Sequence, residues 1–236
     1  GIGPVVDGRS LARHPFTPDA PAQAADIPVM LGANKDEATV LFPPPDAFSL
    51  DWAGLHRHLQ AALPDADVDE LIRRLRALRP AATPSQLYFT VTTELGMGHN
   101  SRTFATRKSR QPAPVYLYRM EWETPLDGGR LGAYHGLEVA LAFDNVAVGT
   151  RFTGRDAEAA QKVADAMSEA WVRFARTGSP NGPGLAWWPV FEPENQPTIV
   201  PAASGPLSLA ATSATGWRSM IAMSHPAAPS AIWSST

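Results

Sequence analysis

The stretch Ile27-Pro28-Val29-Met30-Leu31 is apolar throughout and is bounded by turn residues, with Gly32 closing it. A strand with one face in water would alternate, so an uninterrupted run of this length predicts a strand covered on both faces, as in a parallel sheet with helices on either side. Pro28 is tolerable only near such a strand's start. A second strand is predicted at Pro114-Val115-Tyr116-Leu117-Tyr118-Arg119-Met120, which alternates and is rich in aromatic residues. The chain thus reads as α/β. In open parallel sheets the functional cleft lies beyond the carboxyl ends of the strands.

Both strand ends lead to residues with chemistry. The first delivers Asn34-Lys35-Asp36-Glu37, and the second leads into a glycine-rich loop, Gly128-Gly129-Arg130-Leu131-Gly132-Ala133-Tyr134-His135-Gly136, before an apolar segment through Val139, Leu141 and Phe143. A lone histidine is more often a surface or capping residue than a catalyst. One on a loop, however, can point into a cleft and exchange a proton near neutral pH. A strand, a turn and an acid, followed later by a loop histidine, is the back half of a nucleophile–histidine–acid triad. The residues alone leave Asp36 and Glu37 both open as the acid. No Gly-x-Ser-x-Gly elbow occurs in the chain, and Gly178-Ser179-Pro180-Asn181-Gly182 reads as a turn with its serine misplaced.

The segments around these two are ordered by punctuation and periodicity. Pro4 to Gly8 predicts a short strand ending in a turn, within an otherwise extended Pro-rich segment up to Asp26. After Pro43-Pro44-Pro45, a helix capped by Ser49 is expected through Trp52, Leu55, Leu59 and Leu63, and another from about Asp67 to Arg79. His56 and His58 lie two apart on the first and cannot form an i, i+4 metal pair. Phe89 to Thr93 is strand-like in composition, but its flanks favour a helix resuming after a glycine break at Gly96–Gly98, with His99 structural. Thr153 to Arg176 predicts one long helix with Thr153 and Asp156 at capping-box spacing and Gly178 as its stop. A packed Trp187-Trp188-Pro189 corner, edge strands at Thr198–Val200 and Leu207–Leu209, and a last helix at Trp217–Met223 complete the reading.

Composition excludes several functions. With 236 residues the chain can bury a large core, and a net charge of −3 with scattered basic residues offers no nucleic-acid surface. The apolar runs are too short to span a bilayer. The absence of cysteine excludes a disulfide framework and a thiolate nucleophile, and fits a reducing compartment such as the cytoplasm. No metal or other cofactor is expected. The first residues read as the interior of a longer protein.

With these residues in place, the chain resembles the C-terminal portion of a type-B carboxylesterase, the α/β-hydrolase family that includes para-nitrobenzyl esterases and cholinesterases. Pro4-Val5-Val6-Asp7-Gly8 with Leu11 resembles its opening P-V-x-D-G-x-x-L segment, and Gly32 to Glu37 its G-x-N-x-D-E acid segment. Gly132-Ala133-Tyr134-His135-Gly136-Leu137-Glu138 resembles its histidine segment, and Trp171 to Asn181 with Trp188-Pro189 its last long helix and following corner. The four stand in family order. Gly98-His99-Asn100 departs from a helix that carries an acid in relatives. The resemblance implies Glu37 as the acid, His135 as the general base, and Glu138 as a structural acid. It implies one domain over residues 1–236 with a helical insertion at about 46–110. The serine and oxyanion hole are expected from an upstream half, in the same or a separate chain, without which the fold is incomplete and this chain inactive. The substrate would be a small-molecule carboxylic ester. The alternatives are a non-catalytic, esterase-like binding module, against which the retained Glu37 and His135 argue, and a generic helix-and-sheet interaction domain.

Overall fold

The computed structural model describes residues 5–154, 157–201 and 208–209. Among them a four-stranded sheet runs in the order β1 (Val29–Asn34), β2 (Val115–Met120), β3 (Thr198–Val200) and β4 (Ser208–Leu209). β1 and β2 are parallel, from Val29 opposite Val115 to Asn34 opposite Met120. β3 is parallel to β2, and β4 is antiparallel to β3. The period-2 alternation of β2 divides the core. Tyr116, Tyr118 and Met120 pack on one face with Ala170, Trp171 and Met167, whereas Val115 and Leu117 pack on the other with Ala105 and Phe191. β1 follows suit, Met30 joining the first face and Leu31 the second. Gly32 is fixed by close approach, since a Cβ there would lie 2.5 Å from Cγ of Tyr118. No described strand pairs with the outer edge of β1, and Val29 to Ala33 stay partly exposed.

Four helices link β1 to β2. α1 (Trp52–Ala62) is capped by Asp51, whose carboxylate accepts the Gly54 N–H at 2.7 Å. Ser49, the expected cap, instead ends a preceding 3-10 turn, because the chain stays extended at Leu50 before turning into the helix. α2 (Val68–Leu78) is capped by Asp67, with Asp69 and Glu70 in its first turn and Arg76 in its last, as the helix dipole favours. α3 (Pro84–Thr93) opens with a reciprocal capping box between Thr83 and Gln86. Leu55, Leu59, Leu63, Leu71, Leu75, Leu87 and Val91 form a separate core for this trio. The expected break at Gly96–Gly98 is a π-helical turn, Glu94–Gly98, that carries α3 straight into α4 (His99–Lys108). Glycine at 98 makes room rather than stopping the helix: a Cβ there would sit 2.5 Å from the Glu94 carboxylate, which pairs with Arg102 in the interior. Phe89 to Thr93 is thus helical despite its composition.

Between β2 and β3 lie α5 (Leu137–Ala142), α6 (Thr150–Thr153) and α7 (Ala157–Thr177). The long helix expected from Thr153 is α7, which starts later, at Ala157, because the short α6 occupies Thr153 and Gly154 at φ +79° ends it. Asp156, its expected capping partner, lies outside the described residues. Ala160, Val163, Ala164 and Met167 of α7 close over Leu137, Leu141 and Met120. Trp188 is buried, its backbone held by both ends of the Asn181 amide, while Trp187 faces solvent. The strand expected at Pro4–Gly8 is not formed by Val5 to Gly8. Asp7 instead accepts the N–H groups of Arg9, Ser10 and Leu11, which turns the chain and pulls its carboxyl down to about 2. The helix expected at Trp217–Met223 falls outside the described residues. No described helix is long and apolar enough to cross a membrane.

Candidate active site

The parallel pairing of β1 and β2 brings their carboxyl ends side by side. Beyond them the acid segment and the histidine loop are joined by backbone: Lys35 N–H donates to Met120 O and Asp36 N–H to Ala133 O, both at 2.9 Å. The Asp36 carboxylate accepts the Ala133 N–H in return, at 2.9 Å. Thr39 Oγ1 donates to Leu131 O at 2.9 Å. Asp36 therefore clamps the loop just before the histidine. Burial pushes its carboxyl up, against the pull of Lys35 and the Ala133 N–H.

Glu37 opens a 3-10 turn and is only 5% exposed. One carboxylate oxygen accepts the Asn34 N–H at 2.6 Å, and the other lies 2.6 Å from Nδ1 of His135. The two adjacent acids so divide their tasks, Asp36 taking backbone and Glu37 the imidazole. Burial raises the Glu37 carboxyl, opposed by the hydrogen bonds from Asn34 and His135 and by the imidazole's charge, while nearby Glu138 adds to the rise. The side chain of His135 is 45% exposed, and its Nε2 has no hydrogen-bond partner among the described residues. A buried carboxylate on one imidazole nitrogen fixes the tautomer and supports the imidazolium, leaving the other nitrogen free to take a proton.

A largely apolar cavity of about 280 Å³ opens beside Glu37, lined by Leu41, Phe42, Tyr88, Leu95 and Met97 among others. His135 does not line it. Three of the other histidines have partners elsewhere: His56 faces Asp69, His58 lies 3.1 Å from both oxygens of Asp46, and His99 contacts Thr103. Among the described residues no group of three or more histidine, aspartate and glutamate side chains could hold a metal ion. The sequence did not single out the side chain of Asn34. It is 2% exposed and donates to Tyr134 O and to Glu138. A polar residue at the last position of an otherwise apolar strand is the signal that marks it.

The sheet, its flanking helices and the acid–histidine contact define part of an α/β-hydrolase fold. Residues 1–205 match the Carboxylesterase family, and the chain belongs to it. It is 27% identical to the para-nitrobenzyl esterase of Bacillus subtilis over 84% of its own length and 38% of the relative's. Against the phenmedipham hydrolase of Pseudarthrobacter oxydans the identity is 27%, over 86% of this chain and 40% of the relative. Among solved structures, a Geobacillus stearothermophilus carboxylesterase superposes with a TM-score of 0.69 at 29% identity, over 91% of this chain and 45% of the other. The chain thus spans about two fifths of the length of these curated relatives.

Proposed function

We propose that this chain is the acid- and base-bearing part of a serine carboxylic ester hydrolase, with Glu37 as the acid and His135 as the general base. The observation that carries the reading is the 2.6 Å contact between a buried Glu37 and a half-exposed His135 whose second nitrogen is open. His135 Nε2 would take the serine proton as its oxygen attacks the ester carbonyl, then give it to the departing alcohol. A water molecule repeats the transfer on the acyl-enzyme. Only the neutral imidazole accepts that proton. The serine and the oxyanion donors are supplied by polypeptide outside these 236 residues, which carry no Gly-x-Ser-x-Gly elbow. The outer edge of β1, which no described strand pairs, supports this, as does the share of its relatives that the chain spans. Residues 1–236 would then be the C-terminal portion of one domain, with a helical insertion at about 46–110 that has its own core. The substrate is a small-molecule carboxylic ester, in keeping with relatives named as esterases.

The test is to join the chain to the serine-bearing segment and assay an activated short-chain aryl ester. The joined protein turns over, the chain alone stays at the background of free histidine, and His135→Ala removes several orders of magnitude of turnover. Turnover that survives His135→Ala would refute the assignment.

A further inference from the structure

The histidine loop is held on both sides of His135. Upstream, Asp36 grips Ala133. A single side-chain nitrogen then spans the histidine: Nδ2 of Asn34 donates to Tyr134 O, just before it, at 2.7 Å and to Oε2 of Glu138, after it. The same residue's backbone N–H holds Oε1 of Glu37. Asn34 therefore touches the acid, the residue before the histidine, and the second carboxylate near it. Both side-chain partners are acceptors, which fixes the amide orientation with nitrogen toward them. No other side chain of this size supplies two protons from one nitrogen at this reach: aspartate has none, and serine has one.

We propose that Asn34 is the positioning residue of this site. It sets the register between the acid segment and the histidine loop, and it anchors Glu138 apart from the imidazole. Glu138 lies three residues after His135 and acts electrostatically on Glu37, raising its carboxyl. Left without an anchor, it would compete with Glu37 for the Nδ1 proton of His135, and the imidazole would lose its single orientation. With Nδ2 of Asn34 on it, Glu138 has a partner of its own and Glu37 keeps the histidine. The proposal rests on the catalytic reading only for its bearing on turnover, because the contact itself can be observed without any reaction.

The experiment is proton NMR of the protein joined to its serine-bearing segment, with nitrogen-15-labelled histidine, following the downfield Nδ1–H resonance of His135, assigned by its loss in His135→Ala. Asn34→Ala should speed exchange of that proton with water about tenfold, the factor that a lost hydrogen bond of ordinary net strength gives. Glu138→Gln should leave it within about twofold, because the amide oxygen still accepts from Asn34. Asn34→Asp keeps the volume and removes the donor, so it should match Asn34→Ala and carries the test if the alanine chain unfolds. Unchanged exchange in a folded Asn34→Ala or Asn34→Asp chain would overturn the proposal. So would failure of both variants to fold, which would make Asn34 a residue of the fold rather than of the site. An intact resonance that responds as described, in a protein that hydrolyses no ester, would instead sink the esterase reading and leave the positioning role standing.

Discussion

Gly132→Ala tests whether Asp36 clamps the histidine loop. Gly132 sits at φ +60°, and a Cβ there would lie 2.2 Å from Oδ2 of Asp36 and 2.8 Å from its Cγ. The left-handed backbone alone costs a residue with a Cβ about 1–2 kcal/mol. Asp36 must also swing away and release the Ala133 N–H, a charge-assisted bond worth about 1.5–3 kcal/mol. Together these give about 2.5–5 kcal/mol for Gly132→Ala. Gly128 in the same loop is the matched control: its φ is +65°, but nothing lies within 4 Å of the added carbon. Gly128→Ala should therefore cost only the backbone share, about 1–2 kcal/mol. Urea unfolding at sub-micromolar concentration, followed through tryptophan fluorescence, reads both; of the seven tryptophans, Trp122 and Trp171 pack in the core that holds Ala133 and Tyr134. Equal costs for the two variants would refute the clamp.

Glu37 carries a pH signature of its own. Burial raises its folded carboxyl above the unfolded value, so the folded chain binds the extra proton between the two, and stability falls as pH rises through that window. Against Glu37→Gln, which does not titrate there, the wild-type melting temperature should lose ground from acid toward neutral pH; a gain would contradict the burial argument. Asp51→Ala should cost about 0.5–2 kcal/mol and Ser49→Ala less than about 0.5, read by denaturant midpoints, because Asp51 and not Ser49 caps α1. The chain by itself should self-associate through the outer edge of β1, which no described strand pairs, and the partly exposed residues along it. A monodisperse monomer in light scattering would count against that.

The sequence carried β1, β2, the two functional loops and the long helix because each rests on local periodicity or a glycine that interaction with distant residues does not override. The apolar run at Val29 to Leu31 packs on both faces, through Met30's and Leu31's separate partners, though its residues stay partly exposed. Where the reading failed, the deciding group was far away in sequence or hidden in the backbone. Gly98 looked like a helix break, but its missing Cβ is filled by Glu94, whose burial depends on Arg102. Thr153 looked like a cap, but Gly154 at φ +79° ends a short helix there. At the site, the types of residue were legible and their division of labour was not. Asp36 and Glu37 are neighbours with the same chemistry, and only the position of Ala133, about a hundred residues on, separates their roles. Asn34 gave a weak signal for the same reason, since the acceptors of its side chain lie about a hundred residues on, one on the histidine loop and one in α5.

The assignment of Glu37 as the acid is tested most directly by setting Glu37→Gln against Asp36→Asn in the protein joined to its serine-bearing segment, with kcat measured on an activated aryl ester and the fold checked by circular dichroism. Glu37→Gln keeps the shape but removes the charge that supports the imidazolium, and should lower kcat on the order of 10³–10⁴, as loss of the acid's charge does in serine proteases. Asp36→Asn keeps an oxygen that can accept the Ala133 N–H, and should cost less than about tenfold. A folded Asp36→Asn protein that loses more activity than Glu37→Gln would contradict the account.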